Sequence, residues 1–342
     1  MPSWRFLLLL EAANAFNAGT PPRYGLNVLD GKNYPHHPVM LQVPQRSYKI
    51  EPGLLTDHCG LKVPQHFDCL NLCNKSKCQS LGPAYNYYRY VPSRRLLCHE
   101  HQAYVDARLS HSMVNLPLID DDYGEHVAVY QSVLRHQARH GAFRVVELGA
   151  RWGTWGARAV QFLRTVKPQL RYEAFFVEPA KRSCGALRQV MKLNEIRFQL
   201  LCNYATPEAL LKIMEGLDFV DLIHIDIQFA ESTLLAHPGV QELLRSRAAR
   251  IIVGSHSPQI HQELVEMYRD WIPIFSLPFG FEDCILEILR RKDDDLGASA
   301  ADWAMVRQRR CFYETPHGGV TNYDGLLILA TLGGCQQNLL NE

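Results

Sequence analysis

Charge of one sign, long apolar runs, cysteines at zinc spacing and internal repeats are all missing from this sequence. Lys and Arg number 36 against 35 Asp and Glu, a formal net charge of +1, with no long cationic run. Phosphate backbones need clustered cations. No nucleic-acid partner is therefore expected, although a small RNA-like substrate stays open. The N-terminal apolar run, Phe6 to Leu10, follows Arg5 and stops at Glu11, well short of the roughly 20 residues that span a bilayer. No transmembrane span is expected. That start reads as a short secretory signal, an ordinary N-terminal helix or a truncated start.

No two cysteines stand at C-x2-C spacing, which leaves zinc only the looser set of Cys98, His99 and His101 with neighbouring cysteines. No metal is assigned. Five of the ten cysteines, Cys59, Cys69, Cys73, Cys78 and Cys98, fall in the first hundred residues beside the sequon Asn74-Lys75-Ser76. Disulfides in an oxidising compartment fit this pattern, and so do reduced cytosolic thiols. The compartment, cytoplasmic or secretory, stays open, as does the oligomeric state.

What is present is enough apolar material for at least one full core, 47% of 342 residues. Residues 1–115 are rich in Pro, Tyr, Cys and His, as in PPRYG, YPHHP and YNYYRYVPSRR, and hold no sustained period. They read as an irregular N-terminal extension, which disulfides would pin, and residues 116–342 as the folded domain. Tyr123 to His140 reads as a helix stopped by Gly141. His136 and His140 share a face of it without a nearby carboxylate, so they read as a solvated last turn. Apolar runs at 144–150, 173–179, 197–205, 220–227 and 250–256 then alternate with helix-length segments, and WIPIFSLPF and GLLILATL supply candidate strands near an antiparallel edge. This pattern predicts an α/β fold with a doubly wound, mostly parallel sheet. Asp293 to Asp295 read as a solvated loop.

In such a sheet the ligand meets the first strand-to-helix turn, here VVELGARWGTWGARAV. Its glycines, Gly149, Gly153 and Gly156, depart from the dinucleotide pattern G-x-G-x-x-G, with Arg151 where the pyrophosphate would touch backbone. Glu147 instead favours a ligand with a cationic group. S-adenosyl-L-methionine meets both conditions: its ammonium would lie near Glu147 and its carboxylate against the N–H groups of Gly149, Ala150 and Arg151. Glu178, ending the second strand, suits ribose hydroxyls. The bland alternative is that the glycines serve packing and Glu178 caps a helix.

Residues from about 115 to 335 resemble the FkbM-like branch of S-adenosylmethionine-dependent methyltransferases. The resemblance rests on NLPLIDDDYGE, VVELGARWGTWGARA, FFVEPA, VDLIHIDIQFAE, IIVGSHSPQIH and TPHGGVTNYDGLLIL. It implies a class I, Rossmann-like methyltransferase fold and a hydroxyl acceptor on a small molecule or glycan. Where the family carries Gly after D-x-[EQ], this chain has Phe229.

Methyl transfer needs the acceptor positioned and, for a hydroxyl, its proton removed. Asp226, ending the fourth strand, would orient the acceptor or face the sulfonium, or it caps the next helix. His256, ending the fifth, is a general-base candidate from its ordinary pKa, and Glu231 is a second. Asn203 and Tyr204 would border adenine. His224 reads as a core histidine, and Trp152 and Trp155 as pocket walls or helix cover. A nicotinamide-dependent oxidoreductase is the first rival, disfavoured by Arg151. The second is an inactive methyltransferase-like binding protein of the secretory pathway, which Phe229, the cysteines and the sequon would fit.

Overall fold

The computed structural model describes residues 23–26, 33–46, 48, 51, 53–64, 116–117, 122–137, 140–277, 312–315, 318–321 and 325–330. The N-terminal apolar run, the sequon, Cys69, Cys73, Cys78, Cys98, His99, His101 and Asp293 to Asp295 lie outside the described residues.

Before the domain come the antiparallel pair β1 (Tyr24–Leu26) and β2 (Asn33–Pro35), a short helix α1 (Pro38–Leu41), and the antiparallel pair β3 (Leu54–Thr56) and β4 (Lys62–Pro64). The domain then runs α2 (Tyr123–Arg135), β5 (Phe143–Leu148), α3 (Gly156–Val166), β6 (Tyr172–Val177), α4 (Lys181–Leu193) and β7 (Gln199–Leu201). It continues through α5 (Pro207–Glu215), β8 (Leu222–Ile225), α6 (Glu231–Leu235), α7 (Pro238–Arg247), β9 (Arg250–Ser255), α8 (Pro258–Met267) and β10 (Ile272–Leu277). A small pair, β11 (Phe312–Thr315) and β12 (Gly318–Thr321), precedes β13 (Gly325–Ala330).

Seven strands form one sheet in the order β10-β13-β9-β8-β5-β6-β7. Strands β5 to β9 are parallel, whereas β13 runs antiparallel to both β9 and β10. The central strands β5, β8 and β9 are buried on both faces, as near-continuous apolar strands require, whereas the edge strand β7 is exposed. Along β5, Val145 joins one core and Val146 and Leu148 the other; along β6, Phe176 joins the first and Phe175 and Val177 the second. The period of two thus sorts side chains between a layer containing α2, α3 and α4 and a layer containing α5 to α8. Thr206 and Ser257 cap α5 and α8 through bonds from Ala209 N and Ile260 N, each followed by proline.

Two expectations change here. The first helix stops at Arg135, and His136 is buried rather than solvated. Its Nδ1 lies 2.7 Å from Asp221 Oδ1, a carboxylate 85 residues away in sequence. His140 stacks on Phe219, with ring centroids 3.8 Å apart.

The N-terminal segment is also more ordered than its composition implies. Val39, Met40, Val43, Cys59, Leu61 and Val63 are buried in the same cluster as Tyr130 and Phe162 of the domain. Tyr123 Oη accepts the His37 N–H at 2.8 Å and meets His36 Nδ1 at 3.0 Å, so the YPHHP stretch is anchored on α2. Arg158 Nε donates to Asp57 Oδ2 at 3.1 Å, and Asn194 exchanges two bonds with the backbone of Lys62. The described residues between 33 and 64 therefore contribute side chains to the same core as α2 and α3.

Among the described residues Cys59 is a free, buried thiol, whereas Cys184 and Cys202 form a disulfide between α4 and the end of β7. Covalent pinning thus occurs inside the domain, a pairing the clustered early cysteines did not indicate. Among the described residues no helix is long and apolar enough to cross a membrane.

Candidate active site

Between β5 and α3 the chain turns through three left-handed residues, Gly149 (φ 78°), Arg151 (φ 51°) and Gly153 (φ 87°). A Cβ on Gly149 would meet Asp226 O at 1.7 Å; on Gly153 it would meet Met191 Cε at 2.4 Å, and on Gly156 Phe176 Cε1 at 2.6 Å. The glycines press the loop onto β8, α4 and β6, so the packing alternative accounts for all three.

The loop's main-chain donors are also engaged. Gly149 N and Ala150 N donate to Val177 O, Gly153 N to Ala150 O, and Arg151 N to Glu178 Oε2. A phosphate site at a helix N-terminus needs such donors turned outward, so this loop is not built for a pyrophosphate. The expected cofactor carboxylate likewise does not find Gly149, Ala150 and Arg151 N–H free.

Glu147 is 1% exposed, and its two oxygens accept from Trp155 N at 3.0 Å and Gly156 N at 2.8 Å. It caps α3 from the preceding strand instead of facing a cationic ligand. Burial pushes its pKa up to about 7, against the opposing charge of His224, the two N–H bonds and Arg158. Trp152 and Trp155 are buried, with the Arg158 guanidinium 5.1 and 5.3 Å from their ring centroids. They cover α3, the second of the two roles expected for them. His224 is a core histidine, its Nε2 2.7 Å from Glu125 Oε1.

Glu178 stands just past β6, accepting from Arg151 N at 2.7 Å and Ala180 N at 2.9 Å. Each oxygen retains acceptor capacity for a hydroxyl. Asn203 and Tyr204 follow β7, both exposed, Tyr204 at 72%. They stand on the rim of the strand ends and are not packed against a pocket wall.

Asp226, Glu231 and His256 come together beyond β8 and β9. His256 Nδ1 is 2.8 Å from Glu231 Oε1 and its Nε2 3.1 Å from Asp226 Oδ1. Glu231 also accepts the Ile227 N–H and is fully buried. Burial alone would lower the His256 pKa, but its hydrogen bonds to Asp226 and Glu231, and their charges, push it up to about 10. That direction favours the charged imidazolium and weighs against the base role drawn from its ordinary value. Burial would raise Asp226, yet the hydrogen bond and charge of His256, with His224 and Gln228, hold it below the usual carboxylate value.

Sequence reading gave Gln228 no role, although it lies inside the IHIDIQ segment. Its Nε2 reaches both Asp226 Oδ1 at 3.0 Å and His256 Nε2 at 2.8 Å. Gln228 (φ 53°) and Phe229 (φ 74°) are both left-handed. The turn therefore keeps the glycine conformation with a phenylalanine in it, at a cost in strain. The Phe229 ring is 62% exposed, its centroid 5.6 Å from that of His256.

The sheet order, with its one reversed strand, defines a Rossmann-like methyltransferase fold. No family model and no curated protein matches the sequence. The FkbM-like resemblance thus rests on its motif segments alone. Similar solved structures include a putative RNA methyltransferase from Pyrococcus horikoshii, 12% identical over 45% of this chain and 71% of that one, at a TM-score of 0.31. Fibrillarin from Aeropyrum pernix with bound S-adenosyl-L-methionine is 10% identical over 60% and 74%, at 0.34. TehB from Haemophilus influenzae is 13% identical over 62% and 66%, at 0.33. Likeness at this level carries no functional argument.

Proposed function

We propose that the protein is an S-adenosyl-L-methionine-dependent methyltransferase acting on a hydroxyl oxygen of a small molecule or sugar. The observation that carries this reading is the convergence of Glu178, the left-handed loop at Gly149, Asp226 and His256 on the carboxyl ends of β6, β5, β8 and β9. In an open α/β sheet that edge, at the reversal of strand order between β5 and β8, is where ligands bind. Arg151, at the position where a dinucleotide's pyrophosphate needs a glycine, speaks against the nicotinamide rival.

In the reaction an acceptor oxygen lone pair forms the new bond to the methyl carbon, the carbon–sulfur pair stays on sulfur, and the hydroxyl proton leaves. Glu178 would hold the ribose, Asp226 would face the sulfonium, and Asn203 and Tyr204 would border the adenine. Phe229 favours a second reading, a protein that binds the cofactor but has lost transfer. Incubating the full chain with methyl-labelled S-adenosyl-L-methionine and a panel of polyhydroxylated acceptors separates the two. Label in an acceptor is expected; cofactor binding without transfer to any acceptor would favour the second reading.

A further inference from the structure

Asp226 Oδ1, His256 Nε2 and the Gln228 side-chain amide form a triangle with edges of 3.1, 3.0 and 2.8 Å. With Asp226 ionised, protons cannot satisfy it. With the imidazole neutral and its Nδ1–H donated to Glu231, Gln228 can donate to both other corners, but Nε2 and Asp226 Oδ1 then meet as two acceptors. With the ring protonated on both nitrogens, Nε2–H reaches Asp226 but meets the Gln228 NH2 as a second donor. Turning the amide end for end, an orientation that hydrogen-bond networks assign, brings its oxygen against that of Asp226. A proton on Nε2 alone leaves Nδ1 facing Glu231 Oε1 without a hydrogen. With Asp226 ionised, as its lowered pKa favours, each of these states leaves one edge unmatched.

Charge is unbalanced in the same direction. Two carboxylates serve one imidazole, and Glu231 Oε2 is buried with no hydrogen-bond partner among the described residues. One ligand atom each from Asp226, Glu231 and His256 fall within 4.8 Å of one another. Neighbouring ligand atoms on an octahedral cation with bonds of about 2.1 Å lie about 3 Å apart, the size of this triangle.

We propose that Asp226, His256 Nε2 and the Gln228 amide oxygen form one face of an octahedral site for a divalent cation. Glu231 then orients the imidazole through Nδ1, the carboxylate–histidine–metal arrangement that fixes the ring and its tautomer. A carboxylate, an amide oxygen and one imidazole suit manganese or magnesium, and zinc less well. The Asp226 side chain is 42% exposed, so the opposite face of the site opens outward. An acceptor hydroxyl bound there would have its pKa lowered by the cation and lose its proton to solvent. This deepens the methyltransferase reading and rests on it for the role, though not for the binding.

Manganese is the probe, titrated into the metal-stripped full chain and followed by the loss of its free electron paramagnetic resonance signal. One site per chain is expected. Asp226→Asn, nearly isosteric and at a half-exposed side chain, should weaken it at least about tenfold, and Glu231→Gln about tenfold to a hundredfold through the ring. Manganese binding that is absent in the wild type, or equal in wild type and Asp226→Asn, overturns the site. Cofactor calorimetry on the stripped protein keeps the two ideas apart. Manganese bound without cofactor sinks the methyltransferase reading alone, and cofactor bound without manganese sinks this site alone.

Discussion

A Cβ on Gly149 would stand 1.7 Å from the carbonyl oxygen of Asp226. The first loop and the end of β8 therefore touch backbone to backbone, which seats Asp226 beside the loop. Gly149→Ala adds an overlap with main chain to a left-handed φ, and it should cost at least about 3 kcal/mol in urea unfolding. Gly216, whose added Cβ would meet nothing within 4 Å, is the control and should tolerate alanine. Equal stability of the two variants would mean that the close approach is absent.

Phe229 holds a left-handed φ with little burial in return. Removing its Cβ should relieve about 1 kcal/mol of strain, so Phe229→Gly should raise the melting temperature relative to Phe229→Ala, which keeps the strain. Thermal unfolding of both variants checks this, and a glycine variant no more stable than the alanine one contradicts it.

Arg158 ties the N-terminal segment to α3 through Asp57. Arg158→Ala would remove the cation from a buried carboxylate that keeps the N–H bonds of Cys59 and Leu61, and it should cost about 1–3 kcal/mol. For the same reason, and because Val39, Met40, Leu61 and Val63 fill the domain core, a fragment beginning near residue 112 should unfold at lower denaturant than the full chain. A fragment as stable as the full chain would mean that these contacts add nothing to the domain's stability.

Much of this fold was legible in the sequence because buried parallel strands announce themselves locally. RVVEL, EAFFV and RIIVG each became strands at the expected place, and GLLIL became the antiparallel one. The extension was not legible, since its order comes from contacts such as His37 with Tyr123 and Asp57 with Arg158, about 86 and 101 residues apart. The grouping of Asp226, Glu231 and His256 followed from strand ends, which topology brings together. The occupation of Glu147 and of the loop donors did not, because which hydrogen bond a carboxylate makes depends on how the turn closes. The carboxylates around His256, which push its pKa up, could not be read from its own position, since a pKa belongs to the neighbours.

Glu147 has a pH signature. Its folded pKa of about 7 lies above the ordinary 4.5, so the folded state holds a proton that the unfolded chain releases. Its contribution is whole below about pH 4.5 and is lost as pH rises through about 7. The stability of the wild type relative to Glu147→Gln should therefore fall between pH 5 and pH 8, by up to about 3 kcal/mol. Urea unfolding at both pH values measures it, and a pH-independent difference would mean that Glu147 is ionised throughout.

The most direct test is calorimetric titration of the full chain with S-adenosyl-L-methionine and S-adenosylhomocysteine, beside Glu178→Ala. Removing a charged acceptor of the ribose hydroxyls should cost on the order of 2 kcal/mol, roughly a thirtyfold loss of affinity. Saturable binding of both nucleosides by the wild type and that loss in the variant are the predicted result. No binding by the folded wild type, or equal affinity in wild type and Glu178→Ala, would contradict the account.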